Sequence, residues 1–206
     1  MMNNETRMRI MDVAFKLFSE KGYHPTTTKQ IAEGAGVNEV TIFRHFGSKS
    51  NLFHEITEYY LLDSQVGIVL EDIEHLDFKE SMELIAIRIY KMCIRNTRLY
   101  KIQLKITDDE KGIVKLKLSR ELISLLEKHF THLKKQEKIN GNPEMMAVTL
   151  INSILGAFTV ELLGDGTVTE IPWEELVREH ARQFSGLYDV NRDVQNDIQA
   201  YQSAIE

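Results

Sequence analysis

The chain has 206 residues, 43% of them hydrophobic, and a formal net charge of −6 at pH 7. This length and composition indicate one or two globular domains with a sizeable core. The acidity argues against a protein that coats nucleic acid indiscriminately. It does not exclude a local DNA-contact surface in residues 1–60, because this segment carries seven basic and seven acidic side chains and so has no net negative charge.

The single cysteine and the apolar segments bear on the cellular compartment. Cys93 has no second cysteine with which to form a disulfide or a multi-cysteine zinc site, and we interpret it as a small buried hydrophobe rather than a redox sensor. The start, "MMNNETRMRIMD", lacks the apolar segment of a signal peptide. The apolar stretch 145–160 is shorter than the roughly 20 residues of a membrane span. We therefore expect a soluble cytoplasmic protein that does not insert into a membrane.

Three helices are predicted in the first quarter of the chain, at about 6–21, 28–35 and 38–46. The second starts near Thr28, because Thr27 and Gln30 have the spacing of a capping box. Gly36 ends it after about two turns, and the third helix follows at once. Two short helices joined by about three residues around a glycine are typical of a helix-turn-helix motif.

The remainder also has helical periodicity, and no segment alternates as a strand would. Further helices are predicted at about 48–70, 77–97, 99–106, 111–138, 143–163 and 172–188. The predicted fold class is therefore all-α. A three-helix helix-turn-helix DNA-binding domain at 1–47 precedes a larger helical ligand-binding and dimerisation domain at 48–206.

The third helix is the element that a helix-turn-helix protein places in the major groove. Ile42 and Phe46 form its inner face, and Val40 and Arg44 lie about 200° around the helix from Ile42. Arg44 can donate two hydrogen bonds to guanine, and Val40 can contact a thymine methyl group. These two side chains are therefore predicted to read bases.

Neighbouring residues extend the predicted contact surface. Glu39 can accept a hydrogen bond from cytosine N4, Thr41 can contact a base or a phosphate, and Phe43 offers an apolar contact. His45 is a further candidate for a phosphate. The alternative is that each of these residues is an ordinary surface side chain, and the prediction depends on their lying together on one side of one motif.

Lys49 lies where a helix begins, one residue after the predicted cap Ser48, although positive charge is unfavourable there. A phosphate bound at this helix start would explain it, since backbone amides and the lysine would bind it together. The Thr28 hydroxyl could bind a second phosphate, and Arg7 and Arg9 could reach DNA from an N-terminal arm. The alternatives are a solvent-exposed Lys49 and a Thr28 that serves the cap alone.

The segment 9–53, "RIMDVAFKLFSEKGYHPTTTKQIAEGAGVNEVTIFRHFGSKSNLF", resembles the TetR family of bacterial transcriptional regulators. The resemblance implies a DNA-binding head on the first three helices and a helical body that binds a small inducer. It also implies that inducer binding moves the fourth helix and changes the distance between the two heads of a dimer, which releases the protein from DNA. The positions that match the family's DNA-facing pattern are Thr28, Thr41, Phe43, Arg44, His45 and Lys49. Phe43 replaces the tyrosine that is common there, so only an apolar contact is carried over.

The predicted helix 143–163 is apolar on more than one face, and Ser153, Gly156 and Ala157 form a small-residue patch. This favours a homodimer through about 143–163 and 172–188, as in the family, over an ordinary core helix. A two-fold dimer would bind a palindromic operator in double-stranded DNA, with half-sites about 34 Å or a multiple apart.

The helices from 77 to 138 would surround any effector pocket, and its ligand is expected to be an apolar or amphipathic small molecule. The side chains that could line such a pocket, or could simply be core, are Met82, Tyr90, Met92, Cys93 and Tyr100. No cofactor, metal site or catalytic set is predicted from the scattered histidines and the acidic run 108–110.

The most consistent interpretation is a ligand-responsive repressor, because blocking a promoter needs no contact with polymerase. Two alternatives stay open: a helical protein-interaction module whose head does not read DNA, and a small helical enzyme.

Overall fold

The structure is a computed structural model that describes residues 2–62, 66–105, 117–164 and 168–190. Its α-helices, in chain order, are α1 (Met2–Lys21), α2 (Thr28–Ala35), α3 (Glu39–Phe46), α4 (Lys49–Leu62), α5 (Phe78–Arg95), α6 (Thr97–Lys105), α7 (Lys117–Lys135), α8 (Pro143–Leu163) and α9 (Trp173–Tyr188). The fold is all-α as predicted: within the described ranges the only extended pairing is an isolated bridge between Ile139 and Asp189.

The chain divides into two compact units. One comprises Met1–Val66 and Met92–Leu118, and the other comprises Gly67–Lys91 and Ser119–Glu206. The functional boundary predicted between residues 47 and 48 stays a prediction.

The first unit contains the head, which we define as helices α1–α3, together with α4 and α6. α1 packs against α2, α4 and α6, and α2 packs against α3. Ile10, Phe18 and Ile42 are completely buried, so the apolar stripes of α1 and α3 share one core. Gly36 adopts a left-handed conformation with φ 61° between α2 and α3, which glycine tolerates at no steric cost. The predicted helix-turn-helix geometry is therefore present.

The second unit is built around α7, α8, α9 and the first part of α5. Asp77 caps α5 by accepting a hydrogen bond from the Glu80 amide at 2.7 Å. Phe130 of α7 and Phe184 of α9 pack with ring centroids 6.0 Å apart. Arg182 of α9 donates to Glu83 of α5 at 2.7 Å, which connects these two helices.

Several predicted helix bounds differ from those observed. The segment Val66–Leu70 is a 3-10 helix rather than the end of a continuous α-helix, and Gly67 gives the reason, since glycine disfavours a helix interior by about 1 kcal/mol. α1 begins at Met2 rather than near Thr6. α7 ends at Lys135 rather than Lys138, because Glu137 takes φ 57°. The predicted helical residues 111–116, the turn 165–167 and the tail 191–206 lie outside the described residues.

By length and composition, α8 is able to cross a membrane. Core helices of soluble proteins pass the same test. Seven of its 21 side chains are buried inside the protein.

Candidate nucleic-acid interface

The orientation of α3 follows from its cap and its inner face. The Asn38 side chain accepts a hydrogen bond from the Val40 amide at 3.1 Å and starts the helix. Ile42 and Phe46 are buried, which turns the opposite side outward. Val40 is 71% exposed and Phe43 47% exposed, so two apolar side chains lie on this outward side of α3.

The remaining predicted α3 contacts are presented to different degrees. Arg44 is exposed, while Glu39, Thr41 and His45 are half-buried at the edges of the same face. The structure therefore brings all six predicted α3 residues to the outer side and edges of one helix. Whether they touch DNA stays a prediction.

Lys49 has partners inside the first unit. Ser48 caps α4 by accepting from the Asn51 amide at 3.0 Å, as predicted. The Lys49 ammonium lies 4.2 Å from the centre of the Tyr23 ring and donates to the His24 carbonyl oxygen at 3.4 Å. An aromatic face attracts a cation, so the ring offsets the unfavourable position at a helix start. Neither residue spacing nor the helix-turn-helix pattern predicts this aromatic partner.

Thr28 begins α2, and its hydroxyl donates to the Glu39 carboxylate at the start of α3. The cap of α2 is a separate feature: Thr27 accepts from the Gln30 amide at 3.2 Å, and the Gln30 side chain accepts from the Thr27 amide at 3.1 Å. The Thr28 hydroxyl is therefore not needed for capping. In this structure the hydroxyl donates to the Glu39 carboxylate, at the position where it is predicted to contact a DNA phosphate.

Arg7 and Arg9 do not form a free N-terminal arm, because both belong to α1. Arg7 forms an ion pair with Glu55, donates to the His45 carbonyl oxygen at 3.1 Å and lies 4.6 Å from the centre of the Phe46 ring. Arg9 donates to the carbonyl oxygen of Ala35 at 2.8 Å, at the end of α2. The expectation that they reach DNA from an arm is corrected: these contacts tie α1 to α2, α3 and α4.

Tyr60 fastens α4 to α1 as well. Its ring stacks on Phe15 with centroids 3.9 Å apart, and its hydroxyl donates to Asp12 at 2.5 Å. Burial and this hydrogen bond raise the pKa of Tyr60, so the phenol stays protonated and can donate. These contacts hold α4, the helix that begins with Lys49, against α1 of the head.

The second unit contains a cavity of about 560 Å³. Its lining combines an apolar wall with polar side chains: Leu70, Ile73, Glu74, Leu76, Phe78, Ser81, His129, His132, Leu133, Gln136 and Lys138. Burial, and then the neighbouring His132, lower the pKa of His129, so its imidazole is neutral at pH 7. The predicted pocket residues Met82, Tyr90, Met92, Cys93 and Tyr100 do not line this cavity, and all but Tyr100 are buried.

One exposed stripe runs along the whole of α8. Its members recur at helical spacing: Met145, Thr149, Asn152, Gly156, Val160 and Leu163. Gly156 has open space around it, since an added methyl group would meet no atom within 4 Å. Of the predicted small-residue patch, Ser153 is half-buried and Ala157 faces inward.

Comparison with known proteins identifies the head. Residues 10–56 match the model for the bacterial regulatory proteins of the tetR family. This head is a TetR-family helix-turn-helix domain. The match covers the TetR-family head from residue 10 onward and the first part of α4. All eight predicted DNA contacts lie within this range.

Among the relatives of the TetR-family head, the uncharacterized HTH-type transcriptional regulator YvkB of Bacillus subtilis is 40% identical over 79 residues, which are 38% of this chain and 41% of YvkB. The chain thus spans less than half the length of this curated relative. The solved fatty acid degradation regulator FadR of Bacillus halodurans has a TM-score of 0.70 at 18% identity and covers 88% of this chain and 95% of its own. A SmeT–triclosan complex has a TM-score of 0.66 at 18% identity, with coverage of 91% and 93%. At this identity the two structures establish the fold beyond the TetR-family head.

Proposed function

We propose that this protein is a sequence-specific DNA-binding transcriptional regulator. The observation that carries the proposal is the outer face of α3, where Val40, Phe43 and Arg44 are exposed while Ile42 and Phe46 anchor the helix. Arg44 matches the hydrogen-bonding edge of guanine, and Val40 and Phe43 suit the methyl group of thymine. Glu39 and Thr41 stand at the edge of this base-reading surface.

Phosphate contacts would hold α3 in register. We assign them to Thr28 and His45, and to Lys49 at the start of α4. These residues supply a hydroxyl, an imidazole and an ammonium group, which are common partners of phosphate oxygens. The half-buried placement of all three supports this assignment, because their positions are held by the fold.

The protein is proposed to act as a homodimer through α8 and α9. The exposed stripe of α8 has apolar ends and a glycine near its middle, and Leu187 at the end of α9 is 68% exposed. Glycine allows a partner helix to approach closely. A two-fold dimer would place the recognition helices about 34 Å or a multiple apart, on a palindromic operator.

Gly156→Leu tests the dimer. A Cβ atom at this position would meet no atom of the described residues within 4 Å, and glycine in a helix interior is disfavoured by about 1 kcal/mol, so the helix itself gains stability. Dimer affinity measured by sedimentation equilibrium should nevertheless fall at least about tenfold, through steric exclusion of the partner helix. Lys128→Leu, at an exposed position on α7, is the control. Unchanged dimer affinity for both variants would contradict this interface.

The cavity in the second unit is the proposed effector site, and its occupant an apolar or amphipathic small molecule. Leu70, Phe78 and Leu133 contribute to its apolar wall. His132 and Gln136 contribute polar groups, and their Nε2 atoms are 2.9 Å apart. The volume lies in the usual range for small-molecule sites. The SmeT–triclosan complex supports a small apolar ligand in a protein of the same fold.

Thermal shift measurements test this site. A library of small amphipathic molecules should contain ligands that raise the melting temperature, since a ligand of the native state stabilises it by mass action. Leu133→Trp should fill the cavity and remove the shift, whereas Lys128→Leu should leave it intact. Ligands that stabilise the wild type and the tryptophan variant equally would place the effector elsewhere.

We propose that the protein acts as a repressor and is released from its operator when the effector binds. Blocking a promoter needs only occupancy, whereas activation needs a further contact with polymerase. We propose that the protein is cytoplasmic and has no catalytic activity. A recognition helix, its phosphate contacts and a ligand cavity are the parts of a regulator that binds DNA and a small molecule.

The deciding experiment measures binding to duplex DNA. The purified protein is titrated with the region upstream of its own gene, with a duplex selected from a random library and with an unselected duplex, at several salt concentrations. Specific binding should exceed non-specific binding by at least about 10³-fold, with a linear fall of log K against log salt.

Arg44→Ala is the informative variant. It should weaken operator binding by about 1–3 kcal/mol and relax the preference at one base pair. Arg95→Ala, at an exposed position on α5, is the matched control because it removes an equal charge outside the head. If the library yields no preferred sequence, or if both arginine variants weaken binding equally, the head does not read bases.

A further inference from the structure

The hydrogen bond between Thr28 and Glu39 joins the starts of two consecutive helices. Thr28 is the first residue of α2 and Glu39 the first residue of α3. Gly36 in its left-handed conformation and the Asn38 cap form the tight turn that brings these two helix starts together. The contact therefore lies inside the motif that is proposed to bind DNA.

The charge pattern explains why a carboxylate is stable here. A helix start carries partial positive charge and unpaired amides, which favour an acidic side chain in the first turn. α2 has no acidic residue in its first turn, whereas Glu39 lies in the first turn of α3. The Glu39 carboxylate thus supplies to α2 the negative charge that its own sequence lacks, and one side chain serves two helix starts.

A DNA phosphate presents the same chemistry as this carboxylate. Both are oxyanions that accept hydrogen bonds from a hydroxyl and are attracted to a helix start. They cannot share the Thr28 hydroxyl without like-charge repulsion. A phosphate that binds at Thr28 must therefore displace Glu39.

We propose that Glu39 is an internal stand-in for a DNA phosphate at the start of α2, and that duplex DNA must displace it to bind. This inference rests on the proposed DNA-binding function. It gives Glu39 a role other than accepting a hydrogen bond from cytosine N4. The stand-in lowers affinity for every duplex alike, because phosphate contacts carry no sequence information. The free head gains order at α2, and weak non-specific binding is suppressed.

Glu39→Gln is the first variant, since it removes the charge and keeps the shape and an acceptor for Thr28. It should raise affinity for the selected and the unselected duplex by the same factor, about twofold to fivefold at low salt, in line with the size of charge effects at helix ends. A cytosine reader would behave differently: the variant would weaken binding to the selected duplex alone. That result would overturn the proposal.

Thr28→Val tests whether the two residues act as a pair. Without the hydroxyl, the carboxylate has lost its donor, so adding Glu39→Gln should raise duplex affinity by a smaller factor than in the wild type. The unfolding free energies of the wild type, the two single variants and the double variant are also measured in urea, without DNA. Additive effects on unfolding would show that the two side chains do not interact, which contradicts the proposal whatever the protein does with DNA.

Inorganic phosphate supplies an arm that is independent of any operator. The amides of Thr28, Lys29 and Gln30 are followed by NMR during a phosphate titration. They should move at several-fold lower phosphate concentration in Glu39→Gln than in the wild type, and the amides of α7 should not move. Equal titration midpoints would refute the competition. Failure of the wild type to bind any duplex would refute the proposed function, while this arm and the unfolding cycle still decide the role of Glu39.

Discussion

Replacing Lys49 with methionine separates a structural role of this side chain from a role in DNA binding. In the free protein two effects oppose each other. Removing a positive charge from a helix start relieves about 0.3–1 kcal/mol. Losing the contact with the Tyr23 ring, 4.2 Å away, costs about 0.5–1 kcal/mol. The 3.4 Å hydrogen bond to the His24 carbonyl oxygen is long and adds little. The free energy of unfolding should therefore change by less than about 0.7 kcal/mol.

The same substitution should have a clear effect on DNA binding. If Lys49 neutralises one phosphate, its loss reduces the steepness of log K against log salt by about 0.9. Affinity should fall by a similar factor for selected and unselected duplexes, because phosphate contacts carry no sequence information. Lys49→Arg keeps the charge and should keep the slope.

Two measurements decide between these roles: urea unfolding monitored by circular dichroism, and fluorescence anisotropy of labelled duplexes between about 50 and 200 mM salt. A loss of more than about 1.5 kcal/mol in unfolding free energy with an unchanged salt slope would refute the reasoning. Lys49 would then be a structural residue that holds the turn around Tyr23.

Three further predictions concern stability and reactivity. Arg7→Met should lower the unfolding free energy measured in urea by about 1–2 kcal/mol, because it removes the partly exposed pair with Glu55 and the contact with the Phe46 ring. An unchanged unfolding free energy would contradict the role of Arg7 in holding α1 against α3 and α4. The lowered pKa of His129 means that the folded protein binds fewer protons than the unfolded chain, so stability should fall as pH drops below about 6.5, and His129→Leu should flatten that dependence. Burial raises the pKa of Cys93 to about 12, so a thiol reagent at pH 8 should modify it only as fast as the protein unfolds; rapid modification of folded protein would contradict its burial.

Most of the fold could be predicted because the local signals agree. The capping box at Thr27 sets a helix start that the structure confirms, and α8 begins at Pro143 as predicted. The errors occur where a local rule is broken. Glu137 takes the left-handed conformation that usually requires glycine, so no residue type marks the end of α7. Gly67 was the available signal that the helix predicted to reach residue 70 does not continue regularly.

The site could be predicted less fully, because helical periodicity predicts the direction in which a side chain points but not the residues that it contacts. Spacing alone turns Val40 and Arg44 away from Ile42, and the structure agrees. No spacing rule connects Lys49 to Tyr23 or Arg7 to Glu55, which are 26 and 48 positions apart. The missed signal was composition: an aromatic residue just after α1 and an acidic residue on α4 are natural partners for basic side chains that the motif brings close.

The partners inside the head divide the proposed interface into two classes. Val40, Phe43 and Arg44, the groups proposed to read bases, are exposed and ready for contact. Thr28 and Lys49, two of the three groups proposed to bind phosphate, already contact a carboxylate and an aromatic ring. A duplex that offers only phosphates must therefore exchange existing contacts for new ones and gains little. A duplex that also matches the exposed face gains contacts that replace nothing. Specificity for the operator would thus come partly from weakened non-specific binding, and not only from the strength of the base contacts.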